Sequence, residues 1–192
     1  MKPFAKFASF LVAAAIAIVA LAAEPAEAQS ANTDGQHVFA SAVVSDATGV
    51  VTTVATAGTY VTVGTAAPLA AGLADTSGAI TYTLATNRFT VATRQGVGIL
   101  KLTACLDDTI GILSKTWTGA WHRVRSGSTT LVGPIIRSTE PATADRNSEG
   151  CVVFFVDALQ GDTYDYRYDQ QTSADTVTTR AATFVVEKYF SK

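Results

Sequence analysis

The segment Glu149–Asp169, EGCVVFFVDALQGDTYDYRYD, constrains the fold of this 192-residue chain more than any other stretch. An apolar run from Cys151 to Leu159 is followed by a Gly-Asp pair, and then by tyrosines that alternate with charged residues. A Gly-Asp pair between an apolar run and an alternating run is typical of a tight turn between two strands. We therefore predict a β-hairpin here, with its turn at Gly161-Asp162.

Period-2 alternation of apolar and polar residues recurs along most of the chain. Such alternation is typical of β-strands, and no window after the N-terminal segment shows the spacing of an amphipathic helix. The strong runs are residues 58–64, 80–84, 89–91, 99–106, 116–125 and 183–190, with a short edge strand at 131–136 because it contains Pro134. Polar loops are predicted at 138–150 and 171–181, and Asp107-Asp108 is predicted to end the strand that precedes it. The pattern predicts an all-β fold, either a two-sheet antiparallel β-sandwich or a closed barrel.

The N-terminus has the three parts of a secretory signal peptide. Two lysines, Lys2 and Lys6, precede an apolar run over residues 7–23, and Ala26 and Ala28 form an A-x-A pattern. We predict a signal-peptide helix over residues 1–28, cleavage after Ala28 and a secreted or periplasmic mature protein with no membrane insertion; an uncleaved membrane anchor is the alternative. The rest divides into residues 29–57, which form either short edge strands or an extended arm, and the sandwich domain over 58–192.

The composition narrows the classes of function. Fourteen basic residues against sixteen acidic ones give a net charge of -2. The sequence contains no cluster of basic residues that could bind the phosphate backbone of a nucleic acid, so we predict no nucleic-acid partner. Two histidines are too few for a clustered His site, and none of the common hydrolase, phosphate-loop or dinucleotide motifs occurs. We predict no enzyme activity, no cofactor and no metal site.

Some side chains remain candidates for binding or for structure. Trp117 and Trp121 share a period-2 face with Arg123 and Arg125, on a strand that we expect to be partly exposed, and this patch is predicted to contact a ligand or partner. His122 is expected to be a half-exposed strand histidine rather than a ligand contact. Two further sets have a structural and a functional interpretation. The turn aspartates are interpreted as hydrogen-bonding groups rather than calcium ligands; they are Asp107, Asp108, Asp162 and Asp165. The tyrosines of the alternating strand are interpreted as core rather than as a sugar-stacking ladder; they are Tyr164, Tyr166 and Tyr168.

Export favours a disulfide between the two cysteines, Cys105 and Cys151. In an oxidising compartment an even number of cysteines is more often paired than free. The alternative is two buried thiols that pack as small apolar groups.

Three segments carry a resemblance to a known superfamily. The runs RFTVATRQGVGILKLTACL, FFVDALQGDTYDYRY and TFVVEKYF resemble strand segments of the tumour-necrosis-factor-like and complement-globular-head-like jelly rolls, over roughly residues 60–190. The resemblance implies a two-sheet jelly roll that assembles as a homotrimer, with its inner sheet facing the threefold axis. It also implies that the strands of Cys105 and Cys151 are neighbours in that sheet.

The strand VVFFV then acquires a role in assembly. If Val152, Phe154 and Val156 fill the sandwich, Val153 and Phe155 point away from it and are predicted contacts of the trimer, unless an arm of the same chain covers them. The function predicted is an exported, non-enzymatic trimer that acts in surface recognition, with a protein or glycan ligand. A structural component of a virion or surface layer, and a lectin-like sandwich, are the alternatives.

Overall fold

The computed structural model describes residues 37–44, 49–64, 69–110, 116–139, 147–170 and 175–190. The predicted signal peptide and its cleavage site after Ala28 lie outside these residues. The described ranges contain thirteen strands and a 3-10 helix at Arg94–Gly96. The strands are β1 Phe39–Val44, β2 Val50–Val54, β3 Val61–Thr62, β4 Ala70–Ala74, β5 Ile80–Thr83, β6 Arg88–Val91, β7 Gly98–Ile110, β8 Thr116–Arg125, β9 Ser128–Leu131, β10 Ile136–Thr139, β11 Asn147–Ala158, β12 Thr163–Gln170 and β13 Asp175–Phe190.

The strands form two antiparallel sheets. The first sheet has the order β11-β7-β13-β1-β4, and β2 also pairs with β13. The second has the order β10-β8-β12-β6-β5, with β3 on β12 and β9 on β8. The predicted all-β, two-sheet antiparallel sandwich is therefore confirmed. Within the segment 29–57, the described residues form β1 and β2, both paired with β13, and β1 lies inside the sheet between β13 and β4.

The core lies between the sheets and is built by the alternation seen in the sequence. Leu100, Leu102 and Ala104 of β7 are fully buried, and so are Tyr164 and Tyr168 of the facing β12. The remaining long side chains of the core include Trp117, Trp121, Phe89, Tyr166, Phe184 and Val186. Within the described ranges, no helix is long and apolar enough to cross a membrane.

The prediction of a β-hairpin at Gly161-Asp162 is wrong, although both strands and the tight turn are present. Gly161 has a φ of 88°, as a left-handed turn position requires. The strand before the turn, β11, pairs with β7 in the first sheet, whereas the strand after it, β12, pairs with β8 in the second. The turn therefore carries the chain from one sheet to the other: β11 pairs along its whole length with β7, and β12 pairs along its whole length with β8.

Three strand boundaries also differ from the prediction. β7 runs through Asp107 and Asp108, since the buried Asp108 carboxylate accepts a hydrogen bond from Tyr168 at 2.7 Å and needs no solvent. β13 begins at Asp175, within a predicted polar loop, because its first residues pair with β2. Pro134 lies between β9 and β10 rather than inside an edge strand.

Candidate functional site

The face of the first sheet that points away from the core, called the outer face below, carries an exposed apolar group. Val153 and Phe155 of β11 are 50% and 47% exposed, and Tyr189 of β13 is 54% exposed. The rings of Phe155 and Tyr189 lie 4.9 Å apart. The strict alternation of β11 places these side chains outward, because Val152 on the same strand is buried in the core. Aromatic and β-branched groups clustered on one open face mark a candidate interaction surface.

A charged row crosses the outer face beside Phe155. Lys101 Nζ lies 2.6 Å from one carboxylate oxygen of Glu187, and His37 Nε2 lies 2.8 Å from the other. Burial acts to raise the pKa of the Glu187 carboxyl, but the hydrogen bonds and charges of Lys101 and His37 outweigh it and hold the pKa below its ordinary value. Glu187 is thus an anion with two basic neighbours, and sequence alternation alone gave no signal for this contact between β7, β13 and the residues that precede β1.

The predicted disulfide between Cys105 and Cys151 is present and lies on the same outer face. The two residues are direct partners in the register of β7 and β11, a ladder that pairs twelve residues of β11 without a break. The implied neighbourhood of the two strands in one sheet is therefore confirmed. The disulfide lines an open depression of about 530 Å³, together with Asp107 and Glu149.

The prediction of an exposed aromatic patch on β8 is wrong. Trp117 and Trp121 are each 1% exposed, and their indoles pack edge-on against Tyr168 and Tyr166 in the core. Trp121 is the register partner of the buried Tyr166 on β12 and contacts Phe184 of the first sheet, so the indoles lie on the face of β8 that meets the opposite sheet. The indoles are therefore unable to stack on a ligand at the surface.

Arg123 and Arg125 lie at the end of β8, where they bind the turn after β11. Arg125 donates to both carboxylate oxygens of Asp162, from Nε at 2.7 Å and from Nη2 at 2.6 Å, and the backbone N–H of Leu159 donates to the same carboxylate at 2.8 Å. Burial acts to raise the pKa of Asp162, but these hydrogen bonds and the positive charge outweigh it and lower the pKa below its ordinary value. Arg123 Nη1 lies 3.3 Å from the carbonyl oxygen of Asp157. The geometry gives the two arginines a structural role in holding the turn.

The outer side of the second sheet holds a polar cluster that sequence reasoning did not find. The buried Asp165 carboxylate accepts hydrogen bonds from Arg88, Arg167 and Thr62 at distances of 2.8–3.1 Å. The signal available for it was the alternation of charged residues between the tyrosines of β12. That pattern placed the charges on the face away from the core but did not predict their partners.

His122 is buried, not half-exposed as predicted, because Tyr60 covers it. Their rings lie 4.6 Å apart, and His122 Nδ1 lies 3.3 Å from the carbonyl oxygen of Ala120. Burial lowers the pKa of the imidazole, while that hydrogen bond opposes the shift, so His122 is neutral near pH 7.

The structural interpretation of the tyrosines is confirmed, since Tyr164, Tyr166 and Tyr168 are all buried in the core. The aspartates named in the sequence have separate environments. Asp108 contacts Tyr168 inside the sandwich, whereas Asp162 and Asp165 are bound by arginines at different places. Within the described residues, no group of three or more His, Cys, Asp or Glu side chains is arranged to hold a metal ion.

The architecture is similar to that of solved tumour-necrosis-factor ligands. Murine APRIL at pH 5.0 superposes with a TM-score of 0.56 and 12% sequence identity, over 80% of this chain and 100% of that one. The Eiger TNF from S. frugiperda superposes with a TM-score of 0.57 and 12% identity, over 81% of this chain and 95% of that one. This chain has the tumour-necrosis-factor-like jelly-roll fold. The resemblance read from the three sequence segments is confirmed at the level of the fold, and no family model or curated protein matches the sequence.

Proposed function

We propose that this chain is an exported, non-enzymatic jelly-roll protein that forms a homotrimer through the outer face and binds a protein or glycan partner with its remaining surface. The observation that carries the proposal is the exposed apolar group Val153, Phe155 and Tyr189 on a two-sheet fold of tumour-necrosis-factor-like topology. The N-terminal signal pattern and the disulfide support export into an oxidising compartment.

The geometry of β11 supports assembly in a second way. β11 is the edge strand of the first sheet and is twelve residues long, and its free edge has no pairing strand within the described part of the chain. Long edge strands that expose apolar side chains are a liability for pairing with other chains unless something covers them. A second and third copy would cover both the edge and the outward side chains Val153 and Phe155.

The charged row next to Phe155 is compatible with burial in an interface. Glu187 already has Lys101 within 2.6 Å, so the pair enters the interface with its opposite charges in contact. An ion pair that is hydrogen-bonded costs far less to bury than an isolated charge.

Sedimentation velocity of matched surface variants tests the proposed interface. The Phe155→Asp variant places a charge in the apolar group, and Leu84→Asp makes the same change at a site of equal exposure, 48% against 47%, outside the first sheet. Loss of a central aromatic contact costs about 2–4 kcal/mol in typical interfaces. We expect the wild-type and Leu84→Asp proteins to sediment as trimers and Phe155→Asp as a monomer. A wild-type monomer at high micromolar concentration, or a trimeric Phe155→Asp protein, contradicts the proposal.

The recognition role has its own readout. A trimer that presents three identical binding surfaces gains avidity on a dense ligand surface, by about 10²–10⁴-fold over one surface. We expect labelled wild-type protein to bind whole cells or a glycan array, and the Phe155→Asp monomer to lose most of that binding. Assembly without binding to either support favours the structural alternative, a component of a particle or surface layer.

A further inference from the structure

The Cys105–Cys151 disulfide lies open at the surface rather than sealed in the core. Cys151 is exposed and Cys105 is half-buried, and both line the open depression on the outer face. Structural disulfides of small exported domains are commonly packed where thiols do not reach them, whereas access to a sulfur is one of the requirements for thiol–disulfide exchange. The bond is therefore positioned to react.

The depression around the disulfide is acidic. Asp107 and Glu149 are register partners across β7 and β11, each two residues from one of the cysteines and on the same side of the sheet. Residues two apart on a strand are about 7 Å apart. Among the described residues that line the depression, none carries a positive charge. A thiolate approaching the disulfide therefore meets two carboxylates, and a cationic group on the incoming thiol is attracted to them.

The same face carries the proposed trimer contacts. Cys151, Val153 and Phe155 alternate outward along β11, so the disulfide lies within about 7 Å of the apolar group along the strand. A partner copy that covers Val153 and Phe155 also limits access to Cys151. This step rests on the proposed function, whereas the acidic surroundings of the disulfide do not depend on it.

We propose that the Cys105–Cys151 disulfide is a thiol-exchange site of the free protomer, that it reacts preferentially with cationic thiols, and that trimer assembly closes it. The incoming thiolate attacks Cys151 Sγ and forms a mixed disulfide, while Cys105 leaves as a thiolate and takes a proton from water. A second thiol then releases Cys151, so two thiols are oxidised to one disulfide and the two cysteines are reduced. We expect the twelve-residue ladder between β7 and β11 to stay paired on reduction, so that this edge of the sheet loosens without unfolding.

Two small thiols of the same length and opposite charge test the preference. The probes are cysteamine and 2-mercaptoethanesulfonate, used at low ionic strength on the Phe155→Asp protein, with reduction followed by alkylation and intact mass. Each rate is divided by the rate of the same thiol with a small uncharged disulfide, which removes intrinsic reactivity. Because a carboxylate lies two strand positions from each cysteine, we expect cysteamine to be faster by about tenfold.

The charge variant and the assembled protein supply the controls. When Asp107→Asn and Glu149→Gln are added to the Phe155→Asp protein, the normalised ratio should fall several-fold; an unchanged ratio, or a ratio near one before these two substitutions, overturns the preference. The wild-type trimer should be reduced at least about tenfold more slowly than Phe155→Asp, and equal rates overturn the closure. A monomeric wild type refutes the proposed trimer and its closure, while the ratio of the two thiols still decides the exchange site.

Discussion

Replacing Gly119 by alanine measures how tightly the sandwich is packed around the tyrosines of β12. Gly119 lies in the middle of β8, between Ile136 of β10 and Tyr168 of β12. A Cβ atom added at this glycine would lie 2.5 Å from the hydroxyl oxygen of Tyr166 and 2.8 Å from its Cε1. Both distances are far below van der Waals contact, so either the ring or the strand must move.

The ring of Tyr166 has little freedom to move, and this sets the size of the effect. It is 3% exposed and packs against Trp121 at 5.6 Å and Phe184 at 5.4 Å between ring centres. Overpacking of this kind costs about 1–3 kcal/mol, while the loss of glycine's freedom in the unfolded chain returns about 0.4–1 kcal/mol. We expect a net loss of about 1–2 kcal/mol in the free energy of unfolding, and a melting temperature lower by about 2–8 °C for a domain of this size.

Chemical denaturation of Gly119→Ala and a matched control decides whether the reasoning is correct. Gly150→Ala is the control, because Gly150 also lies in a strand and an added Cβ there meets no atom within 4 Å. We expect the control to be as stable as the wild type or slightly more stable. A Gly119→Ala protein as stable as the wild type, or an equal loss in both variants, would refute the argument from packing.

Three further predictions concern single contacts. The folded pKa of Asp162 is depressed, so its contribution to stability is present above the unfolded pKa near 4 and is lost as the pH falls through the folded pKa. Asp162→Asn weakens the bond to Arg125. We expect it to lower the free energy of unfolding by about 3 kcal/mol at pH 7 and to flatten the acid dependence in denaturation curves. Replacing Cys105 and Cys151 by alanine removes a cross-link between residues 46 apart, so we expect the free energy of unfolding to fall by at most about 4 kcal/mol while the circular dichroism spectrum stays unchanged. An unfolded variant would show that the twelve-residue ladder does not hold β7 and β11 together without the disulfide. Asn87 has a φ of 51° and four side-chain hydrogen bonds, so Asn87→Ala should lower the melting temperature more than Asn87→Gly, and the reverse order would show that backbone strain is not part of the cost.

Local alternation predicted the strands but not their partners. The run before Gly161 and the tyrosine run after it are both strands, as expected, yet they belong to different sheets. A turn signal reports the geometry of four residues, whereas strand pairing depends on segments far along the chain. The family resemblance supplied the missing information, since it implied that the strands of Cys105 and Cys151 are adjacent.

The candidate site shows the same division between what a pattern reports and what the fold decides. The outward direction of Val153 and Phe155 follows from the period of a strand, and their exposure agrees with it. Trp117 and Trp121 were expected at the surface because arginines follow them at the same period. The structure buries the tryptophans, and the arginines bind Asp162 and the carbonyl of Asp157 at the end of β8. The alternation of a single strand does not predict whether that strand lies at the centre or at the edge of its sheet.

Native mass spectrometry of the protein expressed from its full sequence, without reductant, tests whether the outer face joins copies of this chain. We expect one assembly of three chains, each beginning after Ala28 and each lighter by two hydrogens because Cys105 and Cys151 are bonded. The same spectrum of Phe155→Asp should show one chain with the same disulfide. A wild-type spectrum of single chains at high micromolar concentration would refute the proposed trimer.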